Sequence, residues 1–168
     1  ISSAGSLRKL GAGTLVLSGF NTYSGGTLVA AGVLEAGSAN AIGSGTLTLN
    51  GGTFRAGTSF TNAFANPIRL GGAGGAIDVN GQVMLLSGDI SDVGGGGGLH
   101  FANTASAIGA AELSGNNSYS VQTAVGDGVT LIAASNTAFS PHSDVTLATT
   151  GALLANGHLL MEGLPGLA

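Results

Sequence analysis

The chain has 168 residues, of which 32 are glycine and none is cysteine, and its formal net charge is −4. The lack of cysteine excludes disulfides, thiolate metal sites and a cysteine nucleophile, and four Lys and Arg residues are too few for a nucleic acid or an anionic membrane surface. Because 43% of the residues are hydrophobic and glycine shows no period of three, disorder is disfavoured and collagen is excluded.

Short alternation of apolar and polar residues, which is typical of half-buried strands, recurs along the chain. It occurs at Thr46–Leu49, at Pro67–Leu70 and at Ala76–Val79, where Arg69 and Asp78 take the polar positions. Glycine-rich turns separate these segments, and no stretch has a convincing helical period. Regular short strands fit a sandwich, a barrel or a β-solenoid. Small sets of aliphatic residues and very few charges favour an all-β solenoid with three strands per coil and about six to seven coils.

An octapeptide motif occurs twice in the sequence. LSGFNTYS at Leu17–Ser24 returns 96 residues later as LSGNNSYS at Leu113–Ser120, which predicts an approximate duplication of residues 7–57 in residues 111–157. We interpret the motif as a structural turn in which glycine supplies unusual torsions and Asn21 bonds its own backbone two residues on. Phe20 and Tyr23 are expected to pack over the corner and stack on neighbouring coils, with ligand stacking as the alternative. The predicted turn residues are Asn21, Tyr23, Gly25, Gly26, Asn117 and Tyr119.

The segment Leu7–Gly57 resembles the passenger-associated strand repeat of bacterial autotransporters, which export themselves by type V secretion. The residues that carry the resemblance are Lys9, Gly11, Gly13, Thr14–Leu17, Ser18–Gly19, Asn21–Thr27, Val29, Gly32 and Leu34. The resemblance implies a right-handed parallel β-helix, with residues 1–168 as a single segment of a longer passenger at the bacterial surface or secreted. It also implies partners within the same precursor, namely further coils and a C-terminal membrane barrel.

Several short patterns resemble catalytic or metal-binding sites. Asp89 and Asp92 are the closest acidic pair, as a glycosidase would need, but no Lys or Arg is near them in sequence. Ser140–Asp144 contains Ser, His and Asp too close together for a triad. Gly71–Asp78 places its Asp two positions late for a calcium-binding nonapeptide. Gly94–Gly98 lacks the Lys of a phosphate loop, and the histidines lack metal-ligand spacing; these are His100, His142 and His158.

The sequence therefore predicts a non-enzymatic stalk or adhesin segment of a passenger, without a cofactor, a metal or a nucleic-acid partner and without membrane insertion of its own. The alternatives are a carbohydrate-active β-helix enzyme, a lyase or hydrolase, and a filament subunit that stacks end to end. Self-association through the coil ends and a host or cell-surface ligand are the further partners that we expect.

Overall fold

The structure, a computed structural model of the chain, describes residues 4–95 and 97–155 in full and the backbone of residues 158–162. Within these ranges the chain consists of short strands, turns and bends, with no helix and therefore no helix that could span a membrane. The strands are β1 (Leu7–Lys9), β2 (Thr14–Leu17), β3 (Thr27–Val29), β4 (Val33–Ala36), β5 (Leu47–Leu49), β6 (Thr53–Ala56), β7 (Ile68–Leu70), β8 (Gly75–Asp78), β9 (Val83–Leu86), β10 (Ile90–Asp92), β11 (Leu99–Ala102), β12 (Gly109–Leu113), β13 (Thr123–Val125), β14 (Val129–Ala133), β15 (Val145–Leu147), β16 (Ala152–Ala155) and β17 (His158–Glu162).

These strands stack into three sheets, which form the three faces of a solenoid. The first sheet has the order β1-β3-β5-β7-β10, the second β15-β13-β11-β8-β6-β4-β2, and the third β17-β16-β14-β12-β9. Neighbouring strands are parallel, except that β17 runs antiparallel to β16. The chain is therefore a parallel β-solenoid of about seven coils, as the sequence predicts. Its right-handed sense stays a prediction.

The length of one coil changes along the solenoid while the ladders stay in register. Leu7 pairs with Thr27 and Thr27 with Leu47, so the first coils advance by 20 residues. Further on, Gly75 pairs with Leu99 and Leu99 with Thr123, a step of 24 residues. Added residues are thus taken up in the turns, because a shift within a strand would exchange its inward and outward side chains.

The prediction of three strands per coil is wrong for the last two described coils, β13–β14 and β15–β16, which lack a strand on the first face, and for the first three coils. The third face of the first three coils consists of irregular segments, residues 18–26, 37–46 and 57–67, which are rich in Gly, Asn, Ser and Thr. These segments still bond to the next coil at isolated points: Asn21 N donates to Asn40 O at 3.3 Å, and Phe60 N donates to Val83 O at 2.8 Å. Residues that favour turns therefore replace a continuous ladder on this face.

The core is built from columns of like residues that point inward from successive strands. In the second sheet one register column runs through all seven strands, and the members from Leu34 to Phe101 are fully buried. Burying each such side chain stabilises the fold by roughly 1.5–3 kcal/mol. The column contains Leu15, Leu34, Phe54, Ile77, Phe101, Val125 and Leu147.

An aromatic cluster fills the third coil. The ring centroids of Phe54 and Phe64 lie 5.0 Å apart, and Phe60 lies 6.2 Å from Phe64 and 6.4 Å from Phe54. All three rings are buried. Because Phe60 and Phe64 belong to the irregular third face, this cluster fastens that face to the strand that carries Phe54.

Asp78 corrects one expectation from the alternation pattern. The pattern places it on the polar face, but the structure buries it. Its carboxylate accepts hydrogen bonds from Asn80 N at 2.9 Å and from the hydroxyl of Thr104, in the next coil, at 2.6 Å. Stacked coils can therefore cover an outward residue, which alternation within one strand does not reveal.

Candidate functional site

The tyrosines of the octapeptide turn, Tyr23 and Tyr119, are core residues. The Tyr23 hydroxyl lies 2.6 Å from Oγ1 of Thr27, and the Tyr119 hydroxyl lies 2.9 Å from Oγ1 of Thr123. Both tyrosine side chains are fully buried, and burial raises the pKa of Tyr119 above its usual range. Each hydroxyl pair thus satisfies two polar groups inside an apolar interior.

The asparagines of the motif tie one coil to the next. Asn21 Nδ2 donates to Ala41 O at 2.7 Å, and it also bonds back to Gly19 O at 3.2 Å. This local bond runs two residues backward, and a bond two residues forward stays a prediction. In the second copy, Asn117 Nδ2 donates to Ala138 O, and its Oδ1 accepts from Ile90 N at 2.7 Å.

The two glycines after the first copy serve different purposes. Gly26 has φ +85°, a torsion that other residues rarely adopt. Gly25 has no such torsion, but a Cβ there would lie 2.7 Å from the carbonyl oxygens of Ala4 and Gly5. Gly26 therefore has a torsion that favours glycine, whereas Gly25 is required by close approach of backbone.

The two copies of the motif lie on different faces of the solenoid. Leu17–Ser24 connects β2 of the second sheet to β3 of the first, so it lies on the third face. Leu113–Ser120 connects β12 of the third sheet to β13 of the second, and its Ser118 N donates to Ile90 O of the first sheet at 2.9 Å. The offset of 96 residues is thus four coils and one face. A duplication of residues 7–57 in 111–157 stays a prediction.

Phe20 does not pack over the corner as the sequence analysis expected. Its side chain is 73% exposed. The equivalent residue of the second copy is Asn116, which is also exposed, so the turn forms without an aromatic residue at this position. A packing role for Phe20 is therefore wrong, and its ring is available to a ligand.

Phe20 borders a concave groove across the irregular segments of the first three coils. The cavity has a volume of about 340 Å³. Its exposed lining combines the polar side chains of Thr22, Asn40 and Ser44 with apolar ones, and Ala39 and Ile42 are buried. We call it the Phe20 groove; it is lined by Phe20, Asn21, Thr22, Ala39, Asn40, Ile42, Gly43, Ser44, Ala63, Ala65 and Asn66. The sequence alone does not place Asn40 and Asn66 beside Phe20, because only the winding of the coils brings them there.

The acidic pair that a glycosidase would use bonds to the following coil. Asp89 accepts from Asn116 N at 2.8 Å, and Asp92 accepts from Ser120 N at 2.6 Å. The bonds from Ser120 hold the pKa of Asp92 below its ordinary value. Both carboxylates therefore satisfy backbone amides of the scaffold.

The structure also shows where the other short patterns lie. In Ser140–Asp144, Ser140 is buried, and its Oγ accepts from His142 N at 3.4 Å, within a turn. Gly94 and Gly95 have φ of 80° and 63°, while Gly96 lies outside the described residues. His100 and His142 are exposed, and the side chain of His158 lies outside the described part. In that part, no group of three or more His, Asp or Glu side chains could hold a metal ion.

The comparison with protein families decides the identity of the first coils. Residues 7–36 match the family model described as passenger-associated-transport-repeat. These residues carry a repeat that is typical of autotransporter passenger β-helices. No curated protein and no solved structure matches the chain.

The passenger repeat extends from β1 to the end of β4 and includes the first octapeptide and Phe20. Within it, Lys9 points into the solenoid and is almost fully buried, and its Nζ donates to Ala31 O at 3.0 Å and to Gly11 O. Repeats of this kind are typical of autotransporter passenger β-helices and usually belong to non-catalytic stalks. Residues 7–36 therefore match a repeat of autotransporter passenger β-helices, for which linkage to the rest of a precursor and export to the cell surface are implied.

Proposed function

We propose that this passenger segment is a non-catalytic β-helical spacer and adhesin scaffold. The observation that carries the proposal is the passenger repeat within a solenoid of about seven coils. Coils that repeat every ~4.8 Å give a shaft roughly 34 Å long, because the strand spacing sets the rise per coil. Such a shaft holds the attached parts of the passenger away from the cell and presents its own faces to a host surface or to a second passenger.

The bonding of the acidic residues supports a scaffold over an enzyme. Asp89, Asp92 and Asp127 each accept hydrogen bonds from the backbone of the next coil. A glycosidase needs two carboxylates that face one sugar, one of them as acid and the other as base or nucleophile. Here the carboxylates are engaged in holding successive coils together.

One observation favours the alternative of a carbohydrate-active enzyme. The ladder between β7 and β10 pairs Arg69 with Ser91, between Asp89 and Asp92. A cation is thus nearer to the acidic pair than the sequence indicated. Among the described residues, however, Arg69 forms no ion pair with either carboxylate; the ion pair found there joins Arg55 to Glu35 at 2.8 Å.

The two functions are separated by measuring attachment and turnover on the same protein. Latex beads coated with the chain are expected to attach to cultured epithelial cells, or to one another, more than beads coated with an unrelated β-solenoid. Release of unsaturated or reducing ends from polygalacturonate and alginate is expected to stay at background. Attachment at the control level contradicts the adhesin role. Turnover that disappears in Asp89→Asn, Asp92→Asn or Arg69→Ala establishes the enzyme instead.

A further inference from the structure

We propose that the Phe20 groove is a binding site for a neutral glycan, with the ring of Phe20 as the stacking surface for a pyranose. A glycan bound here would mediate adhesion, so this proposal rests on the adhesin role proposed above. It gives that role a ligand class and a location, the third face of the first three coils.

The two copies of the octapeptide differ at the position of Phe20. The buried Tyr is kept in both copies, whereas exposed Phe20 is replaced by Asn116. Since the turn of the second copy forms with the same tyrosine–threonine bond, the fold does not need the aromatic ring. An exposed aromatic ring at the border of a cavity is instead a suitable surface for the C–H face of a sugar, because its π-face is electron-rich and its area is apolar.

The lining of the groove is uncharged and partly polar. Its rim carries the hydroxyl groups of Thr22 and Ser44 and the amide of Asn40, all exposed, and none of its lining residues is charged. Short uncharged donors and acceptors match the hydroxyl groups of a sugar. A polyanion would find no cation in the groove, and the chain as a whole has a net charge of −4.

The size and direction of the groove suit a short glycan. Its volume of about 340 Å³ lies at the lower end of the range of about 300–1,000 Å³ for small-molecule sites. The groove crosses three coils, whose spacing of ~4.8 Å is close to the length of one pyranose unit in an extended glycan. Each coil can therefore contact one sugar unit. An apolar peptide fits less well, since the polar side chains of Thr22, Asn40 and Ser44 would face it.

The experiment is a titration of the purified chain, followed by saturation-transfer difference NMR and by calorimetry. The probes are cellohexaose, maltohexaose and tri-N-acetylchitotriose, with a heparin hexasaccharide and an apolar decapeptide as competitors of other classes. At least one neutral glycan is expected to receive saturation on its ring protons. Phe20→Asn, which copies the second motif, is expected to raise its Kd about tenfold or more without shifting the melting temperature.

Asn116→Ala, in the equivalent position of the second motif, is the matched control and is expected to leave the Kd unchanged. The glycan site is overturned if no neutral probe binds, if Phe20→Asn binds as the parent chain does, or if the heparin fragment or the peptide binds in place of the neutral glycans. These outcomes are independent of the bead assay. Glycan binding without attachment contradicts only the adhesin role, whereas attachment that Phe20→Asn does not weaken contradicts only the glycan site.

Discussion

The hydroxyl of Tyr23 lies 2.6 Å from Oγ1 of Thr27, and both groups are buried in the first coils of the solenoid. Tyr119 and Thr123 repeat the pair at 2.9 Å, and there Oγ1 of Thr123 is also 2.9 Å from Oγ of Ser143. The four-residue spacing thus places a tyrosine from an irregular segment over the first residue of the strand that follows.

Removal of this hydroxyl is expected to destabilise the solenoid measurably. Tyr23→Phe keeps the ring but leaves Thr27 without its partner, and we expect a loss of about 1 kcal/mol in the free energy of unfolding. Urea denaturation checks this value. Phe20→Ala in the same turn is the control, with an expected change within about 0.5 kcal/mol because the ring is exposed. Equal losses in the two variants contradict the packing role of Tyr23.

Asn117 is expected to contribute more to stability than its neighbour Asn116. Asn117→Ala leaves the buried amide of Ile90 and the carbonyl of Ala138 without the partner that each has now. An unpaired buried polar group costs about 1–3 kcal/mol, so the unfolding midpoint in urea should fall clearly. Asn116→Ala changes an exposed side chain and should leave the midpoint nearly unchanged. A reversed order of the two variants refutes the bridging role.

The aromatic cluster of the third coil is expected to be a principal stability element. Phe64→Ala removes a fully buried ring whose centroid lies 5.0 Å from that of Phe54, and it should cost about 3–5 kcal/mol. Phe64→Leu keeps most of the volume and should cost less than about 1.5 kcal/mol. Chemical denaturation followed by circular dichroism measures both. A Phe64→Ala variant as stable as Phe64→Leu contradicts this account.

The solenoid should become less stable at acid pH as the carboxylates of Asp92 and Asp127 are protonated. Bonds from Ser120 lower the folded-state pKa of Asp92, and bonds from Thr150 lower that of Asp127, both from an ordinary value of 3.8. Because the folded pKa lies below the unfolded one, the contribution is complete above the unfolded value and is lost as the pH falls through the folded value. The window therefore lies below about pH 5.

The loss should be small, since both carboxylates are close to solvent. Melting temperatures between pH 6 and pH 2 measure it, with the double variant Asp92→Asn/Asp127→Asn as the control. That variant should show a flatter pH profile than the parent chain. An unchanged profile rules out these two groups as its source.

The isolated chain is expected to associate end to end. Strands β1 and β2 lie at the edges of their sheets, and the first coil exposes Leu10 by 57% and Val16 by 55%. Unpaired edge groups beside exposed apolar side chains favour pairing with a second molecule. Small-angle scattering should show elongation that increases with concentration, and Leu10→Lys/Val16→Lys should suppress it. A monomer at millimolar concentration contradicts the prediction.

The solenoid could be predicted from sequence because its signals are local. Alternation at Ile68–Leu70 predicts that Arg69 lies outward between two buried residues, and the structure confirms this. The octapeptide predicts that Tyr23 packs within the solenoid, and Tyr23 is buried. What could not be predicted depends on how the coils stack. Asp78 is covered by Thr104 of the next coil, and Phe60 and Phe64 meet Phe54 only because the third face closes over the second sheet. The groove beside Phe20 has the same origin, since it is lined by residues of three coils that are far apart in sequence.

The second octapeptide lies on a different face of the solenoid from the first. Each copy forms the same tyrosine–threonine bond. The motif can therefore form this bond on either face of the solenoid. The exposed side chains at positions 20 and 116 consequently belong to different faces of the solenoid, the third and the first. Insertion or deletion of the residues of one face would therefore move an exposed side chain of the motif to another side of the solenoid. The local bonds of the motif would stay the same.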